Sequence, residues 1–372
     1  MKIAVDLRSI QSGTISGVEN YTINLLENLL PMDNKNQYTL FYNSRNGLFP
    51  HEFAYVNAKT VHGKIPNKFL NLGFKTGIFN FEKFVGKFDC LFLPNLNQFN
   101  IAQNKKLVIT VHDLSPIITP EFYDTKRRAW HRFLNYKKAF LRADLIFAVS
   151  RYTKLDLTRI FNVNPEKIKV VYPGIQQKKY EYEISSAKLR EARNIYGLPG
   201  DYILFLNTIE PRKNLLGLIE AFEKLKSPMN LVIAGKLGWK YKNIFKSISR
   251  SPKKSKIKYI GYIDEIYKSA VIKMAKVLVY PSFYEGFGFQ PLEAMALGTP
   301  VIASQLTSLP EVVGDSGLLI NPYDSSSISG AIDSILDNED LRNKFILKGT
   351  QKALGFNWKL TAKQVIDSFE LL

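Results

Sequence analysis

The order of apolar and polar segments is the feature that most constrains what this chain can fold into. Short apolar runs rich in β-branched residues alternate with segments of helical periodicity, which is the pattern of βα units around parallel sheets. The series runs through the 372 residues twice, once in each half. The strands it predicts are residues 3–7, 38–42, 90–93, 107–111 and 145–149 in the first half, and residues 202–206, 230–234, 257–260, 277–280 and 301–303 in the second.

A composition shift separates the two series. The Pro173-Gly174 pair is followed by a polar stretch rich in lysine and glutamate, which predicts a hinge near residue 178. We therefore expect one doubly wound domain over residues 1–177 and a second over 178–355. Residues 356–372 are predicted as a helix that crosses back onto the first domain. Ligands of such sheets bind where the strands end at their carboxyl edge, so functional residues should directly follow strands.

Cysteine content and hydropathy indicate the compartment. Cys90 is the only cysteine, which excludes an internal disulfide and a thiolate zinc site and suits a reducing cytoplasm. The first residues pass straight into a strand, so we expect no export signal. No stretch approaches the length of an apolar transmembrane helix, so any membrane contact should be peripheral.

The net charge of +18 predicts attraction to polyanions. Basic and aromatic residues alternate at helical spacing from Lys126 to Arg142, which predicts one amphipathic helix with a basic face. Such a face is either simply solvated or contacts anionic lipid at the inner face of the plasma membrane. We expect no nucleic acid partner.

The most informative segment follows the predicted strand 277–280. Glycines at 286 and 288 let the backbone approach a ligand closely, and Pro291 predicts a helix start whose amides favour an anion. Glu285 and Glu293 flank this turn, and both could accept hydrogen bonds from sugar hydroxyls. Taken singly, Glu293 could merely compensate the helix dipole and Glu285 could be a turn residue.

Arg212 and Lys213 follow the first strand of the second half, just before a predicted helix. Two cations are unfavourable at a helix start unless an anion binds there. They could neutralise a departing nucleotide diphosphate without a metal ion. No Asp-x-Asp pair is present, so we predict no metal site and an activity that is independent of metal.

The segment from Glu285 to Glu293 resembles the E-x7-E signature of glycosyltransferase family 4, and the continuation through Ser308-Leu309-Pro310-Glu311 is similar as well. The order of motifs resembles this family over nearly the whole chain. The resemblance implies an α/β fold of the GT-B type, with two Rossmann-like domains facing across a cleft. It also implies sugar transfer with retention of anomeric configuration, an acceptor-binding first domain and a second domain that binds the nucleotide sugar.

The same resemblance assigns roles to individual residues. Glu285 would contact the donor sugar and Glu293 the ribose hydroxyls, while Arg212 and Lys213 would bind the diphosphate. His112 ends a strand and could donate a hydrogen bond to the sugar, and by resemblance it would lie near the reacting carbon, although a structural turn histidine has the same pattern. Two further sets complete the predicted donor site, namely the loop residues Gly286, Phe287 and Gly288, and Gly17, whose loop could also be an ordinary βα turn.

Together these features predict a hexosyltransferase that uses a nucleotide-diphosphate sugar as co-substrate and needs no other cofactor. The acceptor would be a glycan or a lipid-linked sugar in cell-surface polysaccharide synthesis, and the hexose could be of the mannose, glucose or rhamnose type. A nucleotide-sugar epimerase of the same fold would convert the donor without an acceptor. A non-catalytic, membrane-associated scaffold is the other alternative, although intact Glu285, Glu293 and Lys213 argue against it.

Overall fold

A computed structural model describes residues 1–10, 17–44, 51–176 and 184–372. The chain divides into two compact units. The first unit comprises Met1–Leu114, Ala129–Gly174 and Asn357–Leu372, and the second comprises Ser115–Arg128 and Ile175–Phe356. The predicted boundary between residues 177 and 178, with its hinge, lies outside the described residues.

Each unit contains a sheet whose strands all run parallel. Those of the first unit are β1 (Lys2–Asp6), β2 (Gln37–Asn43), β3 (Ala58–Gly63), β4 (Cys90–Leu93), β5 (Lys106–Val111), β6 (Leu145–Ala148) and β7 (Ile168–Val170). Those of the second are β8 (Tyr202–Leu206), β9 (Asn230–Ala234), β10 (Ile257–Gly261), β11 (Val277–Tyr280), β12 (Val301–Ser304) and β13 (Leu318–Ile320).

Helices connect the strands. In chain order the described helices are α1 (Gly17–Leu29), α2 (Asn67–Thr76), α3 (Glu82–Val85), α4 (Ser115–Ile118), α5 (Thr125–Leu134), α6 (Tyr136–Arg142), α7 (Arg151–Phe161), α8 (Ser186–Tyr196), α9 (Leu215–Lys224), α10 (Lys242–Arg250), α11 (Glu265–Lys273), α12 (Phe289–Ala296), α13 (Leu309–Val312), α14 (Ser325–Asp337), α15 (Glu339–Ala353) and α16 (Trp358–Phe369). None of them has both the length and the apolar character that crossing a bilayer requires.

The two sheets share one topology. The first has the order β3-β2-β1-β4-β5-β6-β7 and the second the order β10-β9-β8-β11-β12-β13. In both, the direction of winding reverses between the first strand of the series and the fourth, which is where ligands of such sheets bind. The predicted pair of doubly wound parallel sheets is therefore confirmed.

The core of the second unit lies between its central strands and the helices beside them. Ile203, Phe205 and Val277 of the sheet pack against Leu218 of α9 and Ile332 of α14, all nearly or completely buried. These strands are continuous apolar runs because helices cover both faces of a parallel sheet.

The C-terminal helix α16 belongs to the first unit. The Trp358 ring packs edge-on against Tyr21, with 5.5 Å between ring centroids, and the Phe369 ring lies 5.6 Å from that of Phe92. The Thr361 hydroxyl donates to the Tyr172 carbonyl at 2.7 Å. The last residues of the chain thus fill part of the core around β4.

The segment Ser115–Arg128 belongs to the second unit, whereas the sequence prediction placed it in the first domain. Its Phe122 ring stacks on Phe283 at 5.4 Å, and the Phe122 carbonyl accepts a 2.5 Å hydrogen bond from the Trp239 indole. The Arg127 guanidinium lies 4.3 Å from the Trp239 ring centroid. These contacts join residues that are far apart in sequence, so periodicity could not predict them.

The prediction of one basic helix from Lys126 to Arg142 was wrong. The chain forms α5 and α6, and Asn135 between them has a left-handed backbone with φ of 50°. Its side chain accepts a hydrogen bond from the Lys138 amide and so caps α6. Asparagine tolerates this conformation better than most residues, so the helix can end at this position. The sequence spacing of the basic residues gives no sign of the interruption.

Candidate active site

The candidate site lies in the second unit, where β8 and β11 end side by side. After β8, the segment Pro211–Lys213 forms a 3-10 turn in which both cations are buried. Asn214 follows with φ of 57° and caps α9 by accepting a hydrogen bond from the Gly217 amide. This short turn holds Arg212 and Lys213 against the neighbouring strand instead of releasing them to solvent.

A loop from Pro281 to Gly288 connects β11 to α12, and its backbone is held from two directions. The Phe283 amide donates to the Arg212 carbonyl at 3.0 Å, and the Glu285 amide donates to the Thr307 hydroxyl at 3.1 Å. The Ser308 hydroxyl donates to the carbonyls of Glu285 and Phe287 at 3.0 and 2.8 Å. The loop is therefore fixed by the ends of β8 and β12.

Glycine is required at position 288. Gly288 has φ of 125°, and a Cβ there would lie 2.8 Å from Leu309 Cδ2. The Phe287 ring packs against Phe289 and Phe356, with centroids 5.3 and 5.7 Å away, which anchors the loop from its apolar side. Gly286 and Gly288 are both buried.

Four buried charges meet where the turn and the loop touch. Lys213 Nζ lies 2.6 Å from Glu285 Oε1, and Arg212 Nη1 lies 3.3 Å from Glu285 Oε2. Arg212 also donates to the Tyr284 carbonyl at 2.6 Å and pairs with Glu210 at 2.9 Å. All four side chains are less than a tenth exposed. The structure thus brings together three residues that the sequence had singled out.

Electrostatics keep Glu285 ionised. Burial alone would raise the pKa of Glu285, but the charges of Lys213 and Arg212 outweigh it and lower that pKa from 4.5 to about 2. Burial and the neighbouring Arg212 lower the pKa of Lys213. The carboxylate faces two cations, whereas Lys213 faces a cation as well as the carboxylates. The two buried cations are thus matched by two buried carboxylates, Glu210 and Glu285.

Glu293 lies in the first turns of α12, and its side chain is only half satisfied. Its Oε1 accepts a 2.7 Å hydrogen bond from Lys268 on α11. Its Oε2 is buried and has no partner among the described residues. A buried carboxylate oxygen without a partner is costly, so a ligand hydroxyl is its natural complement.

His112 and Gly17 belong to the first unit. His112 follows β5, and its Nε2 donates to the Pro94 carbonyl at 2.8 Å because a carbonyl can only accept. Burial lowers the pKa of His112 more than Pro94 and Asp113 raise it. The lowered pKa favours the neutral ring, in which Nδ1 can accept a hydrogen bond. The role of His112 beside the donor sugar stays a prediction.

Gly17 is the first residue of α1, and a Cβ there would meet no atom of the described residues within 4 Å. Residues 12–16 of the predicted glycine loop lie outside the described residues. No group of His, Cys, Asp or Glu able to hold a metal ion is found in the ranges that the structure covers.

Sequence reasoning missed two participants. Glu210 received no role, although an acid two residues before a predicted diphosphate-binding arginine was a usable signal. Lys268 had no signal, because it is a helical lysine whose contact with Glu293 arises only in the folded chain.

Comparison with known proteins agrees with this architecture. The family described as glycosyl transferases group 1 matches residues 188–352, and glycosyltransferase family 4 matches residues 15–179. The O-antigen chain mannosyltransferase B of Escherichia coli is 34% identical over 275 residues, which cover 72% of this chain and 71% of that protein.

Two solved structures show the same fold. Sucrose-phosphate synthase from Thermosynechococcus elongatus has a TM-score of 0.77 at 21% identity, covering 100% of this chain and 98% of that one. Anabaena HepE in complex with UDP and glucose has a TM-score of 0.73 at 18% identity, with both chains fully covered. The chain thus belongs to glycosyltransferase family 4 and is a glycosyltransferase of the GT-B fold.

Proposed function

We propose that this glycosyltransferase moves a hexose from a nucleotide-diphosphate sugar to a glycan or lipid-linked acceptor in cell-surface polysaccharide synthesis, with retention of anomeric configuration. Among hexoses we favour mannose, because the E. coli relative is an O-antigen chain mannosyltransferase. The second unit would bind the donor and the first unit the acceptor. We place the enzyme in the cytoplasm, in contact with the inner face of the plasma membrane.

The observation that carries the proposal is the contact of Lys213 and Arg212 with Glu285. A diphosphate that enters beside Glu285 meets two cations already in place, and charge-assisted hydrogen bonds to such groups contribute about 1.5–3 kcal/mol each. The same cations would stabilise the diphosphate as it departs, so we propose that the reaction needs no metal ion.

The free Oε2 of Glu293 supports a ribose site nearby. A ribose hydroxyl donating to that oxygen would satisfy it, while Lys268 continues to hold Oε1. Backbone amides around Gly286 and Gly288 would contact the phosphates or the sugar. The acceptor hydroxyl would attack from the face that the diphosphate leaves, so a phosphate oxygen could take its proton.

A thermal-shift screen with nucleotide-diphosphate sugars carrying uracil, guanine or thymine tests donor binding. A ligand at a hundred times its dissociation constant should stabilise the protein by about 2.7 kcal/mol. With the donor identified, we expect transfer to proceed in EDTA and Lys213→Ala to lose most of it. Lys348→Ala is the matched control, because Lys348 pairs with Asp315 at the surface.

Three results would contradict the proposal. If no nucleotide sugar of the panel raised the melting temperature, the proposed donor site would be wrong. A strict requirement for magnesium or manganese would contradict the role proposed for Arg212 and Lys213. Conversion of the donor sugar in the absence of an acceptor would instead identify an epimerase.

A further inference from the structure

The outward side of α2 in the first unit presents large apolar side chains to solvent. Phe69 is 66% exposed and Leu72 50%, and Ile78, which follows the Gly77 cap at the end of α2, is 65% exposed. At about 100° per residue, Lys68, Phe69, Leu72 and Lys75 fall on one side of the helix. We call these four residues and Ile78 the α2 face.

The fold does not need the α2 face for its own core, because the opposite side of the helix is already packed. Leu70 and Phe74 are buried, and the Phe74 ring stacks on Phe81 with centroids 5.4 Å apart. Asn71 accepts a 2.9 Å hydrogen bond from Arg8, which is itself buried. The helix is therefore fixed from within, and its exposed apolar residues remain available to another surface.

Charge distinguishes this surface from an ordinary apolar patch. Lys64, Lys68 and Lys75 are all exposed, and residues 64–81 contain no acidic residue. Lys75 lies 3.9 Å from the Phe133 ring centroid and donates to the Phe133 carbonyl at 3.3 Å. The lysine edge of the α2 face thus continues into the end of α5, where exposed Arg132 adds charge of the same sign.

We propose that the α2 face docks on an anionic lipid bilayer. Apolar side chains flanked by lysines suit the boundary between headgroups and acyl chains, where rings and aliphatic chains enter and ammonium groups meet phosphates. The proposal rests on the proposed function, which places the enzyme at a membrane, and it moves the contact from the predicted basic helix to α2. A nucleic acid would bind the lysines through its phosphates but would leave the apolar residues exposed to water.

Sedimentation with lipid vesicles tests the apolar component in the full chain. We expect the protein to bind vesicles of phosphatidylcholine mixed with phosphatidylglycerol and to remain in solution with phosphatidylcholine alone. The variant Phe69→Ser/Leu72→Ser/Ile78→Ser keeps every charge, and its vesicle binding should fall more than tenfold. The control Leu347→Ser/Leu354→Ser/Leu371→Ser removes residues that are 71%, 62% and 84% exposed elsewhere, and it should bind like the wild type.

A second pair of variants tests the charge. Lys68→Gln/Lys75→Gln should weaken vesicle binding roughly tenfold or more, since each lysine near an anionic surface contributes several-fold. Lys242→Gln/Lys246→Gln removes the same charge from exposed positions on α10 and should leave binding unchanged. The lysine variants also decide the question if the serine variant fails to fold.

The proposal is overturned if the wild type stays in solution with anionic vesicles, or if the folded α2 variants bind as tightly as their controls. It is also overturned if the wild type dimerises without lipid and the serine variant does not, because the α2 face would then bind a second copy. A protein that binds nucleotide sugars but not vesicles refutes only the membrane surface. One that binds vesicles but no nucleotide sugar refutes only the proposed function.

Discussion

Glu285 shows how a carboxylate remains charged where almost no water reaches it. Two cations contact its two oxygens, and Glu210 balances Arg212 from the other side. Removing one member of such a buried group is costly because the remaining charge loses its partner but stays buried. The cluster is therefore sensitive to single substitutions, and its members should be strongly non-additive.

We expect Lys213→Met to lower the free energy of unfolding at neutral pH by about 2–3 kcal/mol, because Glu285 then keeps only its longer contact with Arg212. Lys213→Met/Glu285→Leu should be more stable than Lys213→Met, since it removes the unbalanced carboxylate as well. Urea unfolding of the single and double variants measures both effects. A double variant that is less stable than Lys213→Met would contradict this account.

The pKa of Glu285 also determines how the difference in unfolding free energy between the wild type and Lys213→Met depends on pH. The pKa of Glu285 is lowered from 4.5 to about 2, so its ion pairs stabilise the fold fully above pH 4.5 and are lost as pH falls toward 2. The difference in unfolding free energy between wild type and Lys213→Met should therefore narrow as pH falls below 4.5. A difference that widens on acidification would contradict the assigned pKa shift.

The proposed contact of Glu293 with ribose leads to a prediction about nucleotide affinity. Glu293→Ala should weaken binding of the matching nucleoside diphosphate roughly 10- to 100-fold, because one charge-assisted hydrogen bond contributes about 1.5–3 kcal/mol. A 2′,3′-dideoxy analogue should bind the wild type and the variant equally. Titration calorimetry with both nucleotides tests this, and Glu339→Ala, at a highly exposed acid on α15, is the control. A loss of the same size for the analogue would exclude ribose as the partner of Glu293.

The sequence predicted the centre of this site better than its surroundings. Arg212, Lys213 and Glu285 each follow a central strand, and parallel strands place such positions beside one another. Glu210 and Lys268 support those residues through contacts that depend on side-chain direction and on the packing of α11. Strand order carries no information about such contacts.

At the scale of elements, the strands that are buried along their whole length were all predicted from the sequence, and of the edge strands only β10, which is partly exposed, was predicted. Cys90–Leu93, Tyr202–Leu206 and Val277–Tyr280 match the predicted bounds, since a strand covered on both faces is a continuous apolar run. The missed strands β3, β7 and β13 all lie at sheet edges. Two of them have only three residues and the third is largely polar, so their apolar signal is weak.

Asn214 joins three elements. Its left-handed backbone turns the chain from the 3-10 turn into α9, and its Oδ1 caps that helix. Its Nδ2 donates to the carbonyls of Pro281 and Pro322 at 3.1 and 2.7 Å. Gly217 leaves room for this, because a Cβ there would lie 2.7 Å from Asn214 Oδ1. One side chain therefore fixes both the loop that carries Glu285 and the turn that carries the cations.

We expect Asn214→Ala to lower the free energy of unfolding by about 3 kcal/mol. The variant loses the helix cap and two tertiary hydrogen bonds, and alanine is strained in the left-handed conformation that asparagine tolerates. Asn214→Gly should recover about 1 kcal/mol, since glycine adopts this conformation freely. Asn162, a left-handed residue that ends α7 at the surface, is the control, and Asn162→Ala should cost only about 1 kcal/mol. Equal losses for the two alanine variants would contradict the joining role of Asn214.

At the scale of the whole molecule, the chain exchanges segments between its two units. The first unit is completed by the last residues of the chain, and the second includes Ser115–Arg128 from the first half. Both segments are attached through aromatic rings, Phe369 in one case and Phe122 in the other. The sequence predicted the return of the C-terminal helix, but a single boundary near residue 178 could not represent the assignment of Ser115–Arg128 to the second unit.

A substitution in the C-terminal helix α16 tests how far the stability of the first unit depends on that helix. Phe369 is 1% exposed, and its ring lies 5.6 Å from Phe92 and 6.2 Å from Phe147. Phe369→Ala should therefore destabilise the first unit by about 3–5 kcal/mol, the usual cost of the cavity left by a buried phenylalanine. Leu371→Ala, at a residue that is 84% exposed, should change nothing measurable. Because the proposed donor site lies in the second unit, the affinity of Phe369→Ala for the nucleotide should match that of the wild type wherever the protein remains folded. Unfolding followed by denaturant titration, with donor binding measured in parallel, separates the two effects. A loss of nucleotide affinity as large as the loss of stability would show that α16 serves the second unit as much as the first.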